Sequence, residues 1–299
     1  MIRSGCVAII GKPNAGKSTL INAIIGEKVS IVSPKAQTTR NNILGILNEK
    51  DYQIVFIDTP GINKVNTQLD SFMQDSIKGA IADVDAIVVA LDCSKNFDKS
   101  DFDFIERQSR MGIPVIVALT KIDLLTNDKI LAKLLQFNDK PYISEVVPVS
   151  SKKEMNIKEL VNTILKYMPE AEDDERMFDE DMYTDKPLRF IIAEIIREKA
   201  LFLLDQEIPH GIAVAIKKYD EQETLAEIDA EIICEKNTHK QIIIGKGGEM
   251  LKKIGHQARV SFQKIAQKKI YLNLFVKVKE NWKNSPAYLS EIGYDGGEI

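Results

Sequence analysis

Gly11-Lys12-Pro13-Asn14-Ala15-Gly16-Lys17-Ser18 fits the pattern G-x-x-x-x-G-K-[ST], with which a glycine-rich turn wraps polyphosphate. The glycines let backbone N–H groups converge on phosphate oxygens, and a helix opening at Thr19 would add the partial positive charge of its N-terminus. In that geometry Lys17 reaches the β- and γ-phosphates and the Ser18 hydroxyl ligates Mg2+. Asp58-Thr59-Pro60-Gly61 follows, an acid that would face the Mg2+ shell and a glycine N–H that could sense the γ-phosphate. Alone it is a weak signal, because an acid before Pro-Gly is a common turn. Thr120-Lys121-Ile122-Asp123 places a carboxylate able to accept from both N1–H and the exocyclic amine of guanine. Adenine offers no such pair, so Asp123 would select GTP over ATP while the Lys121 stem lies along the base. Ser150-Ser151-Lys152 would complete the base pocket. The order of the four motifs, more than any one of them, implies a GTP-hydrolysing site.

These groups need a scaffold that brings them to one edge. Val7–Ile10, Ile54–Ile57, Ala86–Leu91, Val115–Leu119 and Val146–Val149 are short, Val/Ile-rich runs without alternation, as expected of strands buried on both faces. Thr19–Ile25, Thr67–Ala82, Lys99–Met111 and Ile157–Tyr167 read as the helices between them. Strand–helix alternation of this kind predicts a doubly wound α/β domain over residues 1–169, with every motif at the carboxyl end of a strand. Between the phosphate loop and Asp58 lies Ser33-Pro34-Lys35-Ala36-Gln37-Thr38-Thr39-Arg40-Asn41. A threonine here would close on Mg2+ and γ-phosphate and release afterwards; Thr39 is favoured, with Thr38 the alternative.

Residues 170–187, bounded by Pro169 and Pro187, read as an acidic linker: from Glu170 to Asp185 they carry nine acids against one base, Arg176. Beyond it the pattern becomes helix, strand, strand, helix, glycine loop, helix, strand over 188–299. Leu188–Leu204 and Glu249–Ala266 have helical spacing, whereas Ile212–Ile216, Leu225–Ile233 and Ile270–Val278 alternate as half-buried strands. Ile244-Gly245-Lys246-Gly247-Gly248 contains a G-x-x-G loop, a motif that elsewhere is often only a helix cap. Here it falls within residues 236–283, which hold twelve bases against two acids, with Lys252, Lys253 and Arg259 close by. Loop, charge and element order together predict an α+β type II KH domain that clamps single-stranded RNA. The acidic linker could be attracted to this cationic face, or repel RNA phosphates, and so hold the groove closed in one nucleotide state.

The formal charge of −4 averages over that asymmetry and says little about partners. No apolar run approaches the roughly 18 residues that cross a bilayer. Cys6, Cys93 and Cys234 are widely spaced and set in apolar surroundings, as expected of reduced cysteines in the cytoplasm, and with three scattered histidines no zinc spacing arises. A tRNA-modifying enzyme would need a second catalytic site that these cysteines do not suggest. An RNA-binding module with a merely structural nucleotide pocket would not require Lys17, Ser18, Asp58 and a switch threonine together.

The combination G-x-P-N-x-G-K-S, Q-T-T-R, D-T-P-G, T-K-x-D and S-S-K resembles the translation-factor-related GTPases, including the Era, EngA/Der and MnmE families. With the C-terminal KH pattern the resemblance to the Era family covers nearly the whole chain. It implies binding to the 3′ end of 16S rRNA, assistance to 30S subunit assembly, a cytoplasmic location with peripheral contact to the inner membrane face, and no DNA. It also implies GTP, GDP and Mg2+ as ligands, and K+ held by Asn14, because Ile62 stands where Ras-type enzymes have their water-orienting glutamine. Thr120 departs from the asparagine common in the family; its hydroxyl could still reach the neighbouring loop, with at most weaker nucleotide binding.

Overall fold

A computed structural model describes residues 2–35, 38–61, 65–171, 176–205 and 208–294. It divides into two units. One comprises Met1–Ser30, Thr39–Lys64 and Met73–Asp185, the other Ile31–Thr38, Val65–Phe72 and Lys186–Ile299.

The first unit carries β1 (Ile2–Ile10), α1 (Lys17–Ile25), β2 (Ile43–Glu49), β3 (Tyr52–Asp58) and most of α2 (Gln68–Ala82). It continues with β4 (Ala86–Asp92), α3 (Lys99–Ser109), β5 (Val115–Thr120), α4 (Asn127–Leu134), β6 (Glu145–Pro148), α5 (Ile157–Leu165) and the two-residue β7 (Glu170–Ala171). The strands form one sheet in the order β2-β3-β1-β4-β5-β6, with β7 antiparallel on the start of β1. All pairings from β3 to β6 are parallel; β2 alone runs antiparallel to β3. Alternate residues serve opposite faces. Val7, Ile9, Ile54, Phe56 and Val88 meet α1 and α5 through Leu20 and Leu160, while Ala8, Ile10, Ile87 and Val89 meet α2 and α3 through Ile77 and Ile105. Every residue of β5 is buried, which is why its sequence shows no alternation.

β2 and α4 have no counterpart among the elements expected from the sequence. The linker expectation needs correcting as well, because residues 176–185 are tied along β2 and β3. Leu44 N–H donates to Asp185, Ile46 N–H to the Tyr183 carbonyl, and Gln53 Oε1 accepts the N–H groups of Met177 and Phe178. β2 is the sheet's edge, and this stretch satisfies backbone donors that would otherwise be left open. Glu172, Asp173, Asp174 and Glu175, the acids at the centre of the charge-attraction idea, lie outside the described residues.

The second unit runs α6 (Leu188–Leu203), β8 (Ala213–Glu221), β9 (Leu225–Cys234), α7 (Asn237–Ile244), α8 (Glu249–Ala266), β10 (Lys269–Val278) and α9 (Pro286–Glu291). β9 is central, antiparallel to β8 and parallel to β10. A parallel neighbour requires a crossover, and α7 and α8 supply it. Ile228, Ala230 and Ile232 face the helices, where Ile192, Ile195 and Ile196 of α6 and Ile254, Ala258 and Phe262 of α8 bury against them. The fourfold spacing on α8 leaves its lysines on the open side.

Candidate nucleotide and nucleic-acid sites

The phosphate loop leaves β1 at Gly11, whose φ of +149° and close approach to β4 exclude a side chain: a Cβ there would lie 2.5 Å from the Ala90 carbonyl oxygen. Asn14 (φ 62°) and Gly16 (φ 95°) turn the loop through left-handed conformations into the N-terminus of α1. Lys17 is 6% exposed and its Nζ lies 3.1 Å from the Gly11 carbonyl and 3.4 Å from that of Lys12. Burial lowers its pKa, against the opposing pull of Asp58. Ala15 is buried beneath the loop and Thr19 is half-buried on α1. Lys12 points away and pairs with Asp101 at 2.7 Å. Gly61 sits against Pro13, since a Cβ at Gly61 would come within 3.1 Å of the Pro13 backbone. Thr59 donates to the Ile9 carbonyl at 2.8 Å, and Pro60 is buried beside it. Ile62 lies outside the described residues.

Three hydroxyls surround one carboxylate oxygen. Ser18 Oγ lies 2.7 Å from Asp58 Oδ2, Thr39 Oγ1 3.3 Å from it, and Ser30 Oγ 2.6 Å from it. Ser18 and Thr39 are themselves 2.9 Å apart. The structure thus brings Thr39 to Ser18 and Asp58, whereas the Thr38 hydroxyl donates to Lys35. Asp58 is fully buried, and its second oxygen, Oδ1, has no hydrogen-bond partner. Burial raises its pKa, and the hydrogen bonds from Ser30 and Ser18, the charge of Lys17 and the Thr39 hydroxyl oppose that only in part. A carboxylate held this way, oxygen-lined and short of a partner, fits a hard divalent cation. Ser30 is a member that the motifs do not announce, because nothing in its local sequence distinguishes it.

At the base end, Thr120 ties the phosphate loop to β4. Its hydroxyl donates to Ala15 in the phosphate loop at 2.6 Å and lies 3.1 Å from the Leu91 carbonyl. Lys121, in a left-handed conformation, extends across the loop to the Asn14 carbonyl and pairs with Asp92, both at 2.7 Å. Asp92 is a second unannounced member. Its burial alone would raise its pKa, but the hydrogen bonds from Lys121 and Ser94 outweigh this and lower it. Ser150 Oγ donates to one Asp123 oxygen at 2.6 Å, leaving the other for a ligand. Ser151 and Lys152 occupy the turn that follows.

In the second unit, Gly245, Gly247 and Gly248 all have positive φ (73°, 59° and 82°) between Ile244, the last residue of α7, and α8. A Cβ on Gly245 would lie 2.8 Å from that of Met250, so this glycine is obligatory. Beside the loop runs a groove of about 430 Å3 lined by Gly248 of the loop and Leu251, Lys252, Gly255 and Arg259 of α8, and on the other wall by Tyr271 to Leu274 of β10. Lys246, Lys252, Lys253 and Arg259 are exposed around it. The β10 wall escapes a sequence reading because a half-buried strand shows only as alternation; in the structure Tyr271 on it is 58% exposed.

A Walker-type loop on a mostly parallel sheet, with Asp123 on the loop after β5, and an α-β-β-α-α-β unit with a G-x-x-G groove define a P-loop GTPase carrying a type II KH module. A family model described as 50S ribosome-binding GTPase matches residues 6–121, and one described as KH domain matches residues 207–283. GTPase Era of Clostridium kluyveri is 45% identical over 295 residues, covering 98% of this chain and 100% of the relative. GTPase Era of Clostridium acetobutylicum is 44% identical over 294 residues, covering 98% of each. Two solved structures also match at 40% identity, covering 98% of this chain and 99% of theirs. One is an Aquifex aeolicus Era variant bound to GDP·AlF4− (TM-score 0.93), the other Era with MgGDPNP and nucleotides 1506–1542 of 16S ribosomal RNA (TM-score 0.92). The chain belongs to the Era family and is a GTPase.

Proposed function

We propose that this GTPase is a switch that binds the 3′ end of 16S rRNA and assists assembly of the 30S subunit in the cytoplasm. The observation that carries the reading is the groove beside Gly245–Gly248, cationic on its rim and apolar at Leu251, Leu272 and Leu274, in a chain 40% identical to an Era solved with that RNA. Glycines admit the sugar–phosphate backbone, and the apolar wall receives bases. No helix among the described residues is long and apolar enough to cross a membrane; peripheral contact with the inner membrane face is part of the proposal.

For hydrolysis, Ser18, Thr39 and Asp58 would hold Mg2+, which when bound supplies charge neutralisation at the β- and γ-phosphates. Lys17 would exchange its two carbonyl contacts for phosphate oxygens, with which it makes charge-assisted bonds. The Gly61 N–H would meet the γ-phosphate, and Asn14 would hold K+ in place of a catalytic glutamine. Asp123 and Ser150 read guanine, supported by Lys121 and the turn through Lys152.

The test is the affinity for a short single-stranded RNA copying the rRNA 3′ end, with a GTP analogue and with GDP. A Lys246→Asp/Gly247→Asp variant serves as comparison. Tighter binding in one nucleotide state, lost in the variant, supports the reading; equal weak binding throughout removes the RNA assignment first.

A further inference from the structure

Of the three hydroxyls on Asp58 Oδ2, that of Ser30 lies outside every nucleotide-binding motif, and it makes the shortest contact, 2.6 Å. Ser30 follows the end of α1 at Gly26, in the connection to β2, where no regular element holds the chain. One side chain on α1 does so instead. Asn22 Oδ1 accepts the N–H groups of Val29 and Ser30 at 3.1 and 3.0 Å, and Asn22 Nδ2 donates to the Ser30 carbonyl at 2.7 Å. Both main-chain polar groups of Ser30 are thereby satisfied by one amide, as a neighbouring strand would satisfy them. Ser30 is 1% exposed, and Val29 before it is part of the core under α1.

Asn22 stands four residues after Ser18, one turn along the same face of α1. The helix is fixed in place by Leu20, Ile21 and Ile24, which are buried against the sheet. It delivers two hydroxyls to one carboxylate oxygen: that of Ser18 from its first turn, and that of Ser30 through Asn22. The contacts converge on Oδ2, while Oδ1 has no hydrogen-bond partner among the described residues. The terminal torsion of an aspartate is broad, so a carboxylate needs neighbours to fix which oxygen points where. Ser18 and Thr39 are read as ligands of the cation themselves. Ser30 has no such part, and its hydroxyl serves only to hold Asp58.

We infer that Ser30 is a positioning residue for the cation site, holding Asp58 Oδ2 so that Oδ1 faces the ion, and that Asn22 sets the position of Ser30. The inference rests on the reading of Ser18, Thr39 and Asp58 as that site. Asn22, Ser30 and Asp58 all belong to the first unit and need no γ-phosphate to meet, so the effect is the same with GDP as with GTP.

The test is the Mg2+ dependence of nucleotide release from the full chain, read with fluorescent GDP and a fluorescent non-hydrolysable GTP analogue. Affinity in EDTA is the control for folding. The Mg2+ concentration that gives half of the full slowing of release reports cation affinity. Ser30→Ala should leave affinity in EDTA within about twofold and raise that half-point about tenfold for both nucleotides, as losing a hydrogen-bond partner of a metal-site carboxylate does. Thr39→Ala should raise it for the GTP analogue alone. Asn22→Ala should move it in the direction of Ser30→Ala, and the double variant should be no worse than the larger single one, because both act through one hydroxyl. Ser30→Thr, which keeps the hydroxyl, should recover most of the loss. Asn22 is only half-buried, so Asn22→Ala decides the matter should Ser30→Ala not fold. An unchanged half-point in Ser30→Ala and Asn22→Ala, or equal weakening of nucleotide with and without Mg2+, overturns the inference. Ser18→Ala separates it from the reading beneath: a half-point that Ser18→Ala also leaves in place defeats the cation site itself, whereas one that Ser18→Ala alone raises defeats only the role of Ser30 and Asn22.

Discussion

Replacing Thr120 by valine removes one hydroxyl while keeping the branching and nearly the volume of the side chain. The site is 2% exposed, and the hydroxyl donates to the carbonyl of Ala15, itself 3% exposed. Without it that carbonyl is buried and lacks this donor, a loss worth about 1–3 kcal/mol. In the nucleotide-free protein the phosphate loop can relax and let the Ala15 carbonyl find water. Bound nucleotide requires the loop in its phosphate-wrapping shape, so most of the cost should appear as lost affinity. At about 1–2 kcal/mol this is roughly 5- to 30-fold weaker binding, similar for GDP and GTP because the contact lies far from the γ-phosphate. Calorimetric titration of Thr120→Val with both nucleotides measures it, and Thr120→Asn, which restores a donor, should bind at least as tightly as the parent. Affinity within twofold of the parent for both nucleotides, with an unchanged melting temperature, would refute the claim that this hydroxyl tethers the loop.

Asp123→Asn should cost GTP affinity about 100-fold or more, since two hydrogen bonds to a charged acceptor are lost, and should favour xanthosine triphosphate, whose carbonyl can accept from the new amide; competition binding reads both. Asp58→Asn bears on stability. Because burial raises the folded-state pKa of Asp58, its contribution is fully present below the unfolded value of about 3.9 and is lost as pH rises through the folded value. In metal- and nucleotide-free protein, melting curves should show the variant gaining on the parent as pH rises above about 4, while its Mg2+-dependent hydrolysis collapses. Turnover should be faster in K+ than in Na+, and Asn14→Ala should erase the difference between the ions. RNA affinity should fall with salt at a log–log slope of about −3 if Lys246, Lys252, Lys253 and Arg259 each meet a phosphate, and Lys252→Ala should reduce that slope by about 0.7 in fluorescence titrations.

The candidate site residues are legible in the amino-acid sequence, because each is fixed by local requirements. A glycine turn must precede Lys17 and Ser18, and Asp58, Asp123 and Ser150 each follow an apolar run that could only be a buried strand. The helix–strand order around Gly245–Gly248 is legible for the same reason, as helical and alternating periods are written in neighbouring residues. What lies beyond reach depends on residues distant along the chain. Ser30 meets Asp58 across 28 positions, and Lys121 meets Asp92 across 29. β2 escapes notice because Gly45 and Asn48 interrupt its apolar run, and it exists by pairing with β3. Residues 176–185 read as a linker by composition, yet their backbone groups and Asp185 close the edge that β2 leaves open. The sequence favours Thr39 over its identical neighbour Thr38, and the partners come from the fold: the Thr39 hydroxyl lies 3.3 Å from Asp58, whereas that of Thr38 donates to the Lys35 carbonyl. Local sequence determines what a residue can donate or accept, but only the folded chain determines which partner lies within hydrogen-bond reach.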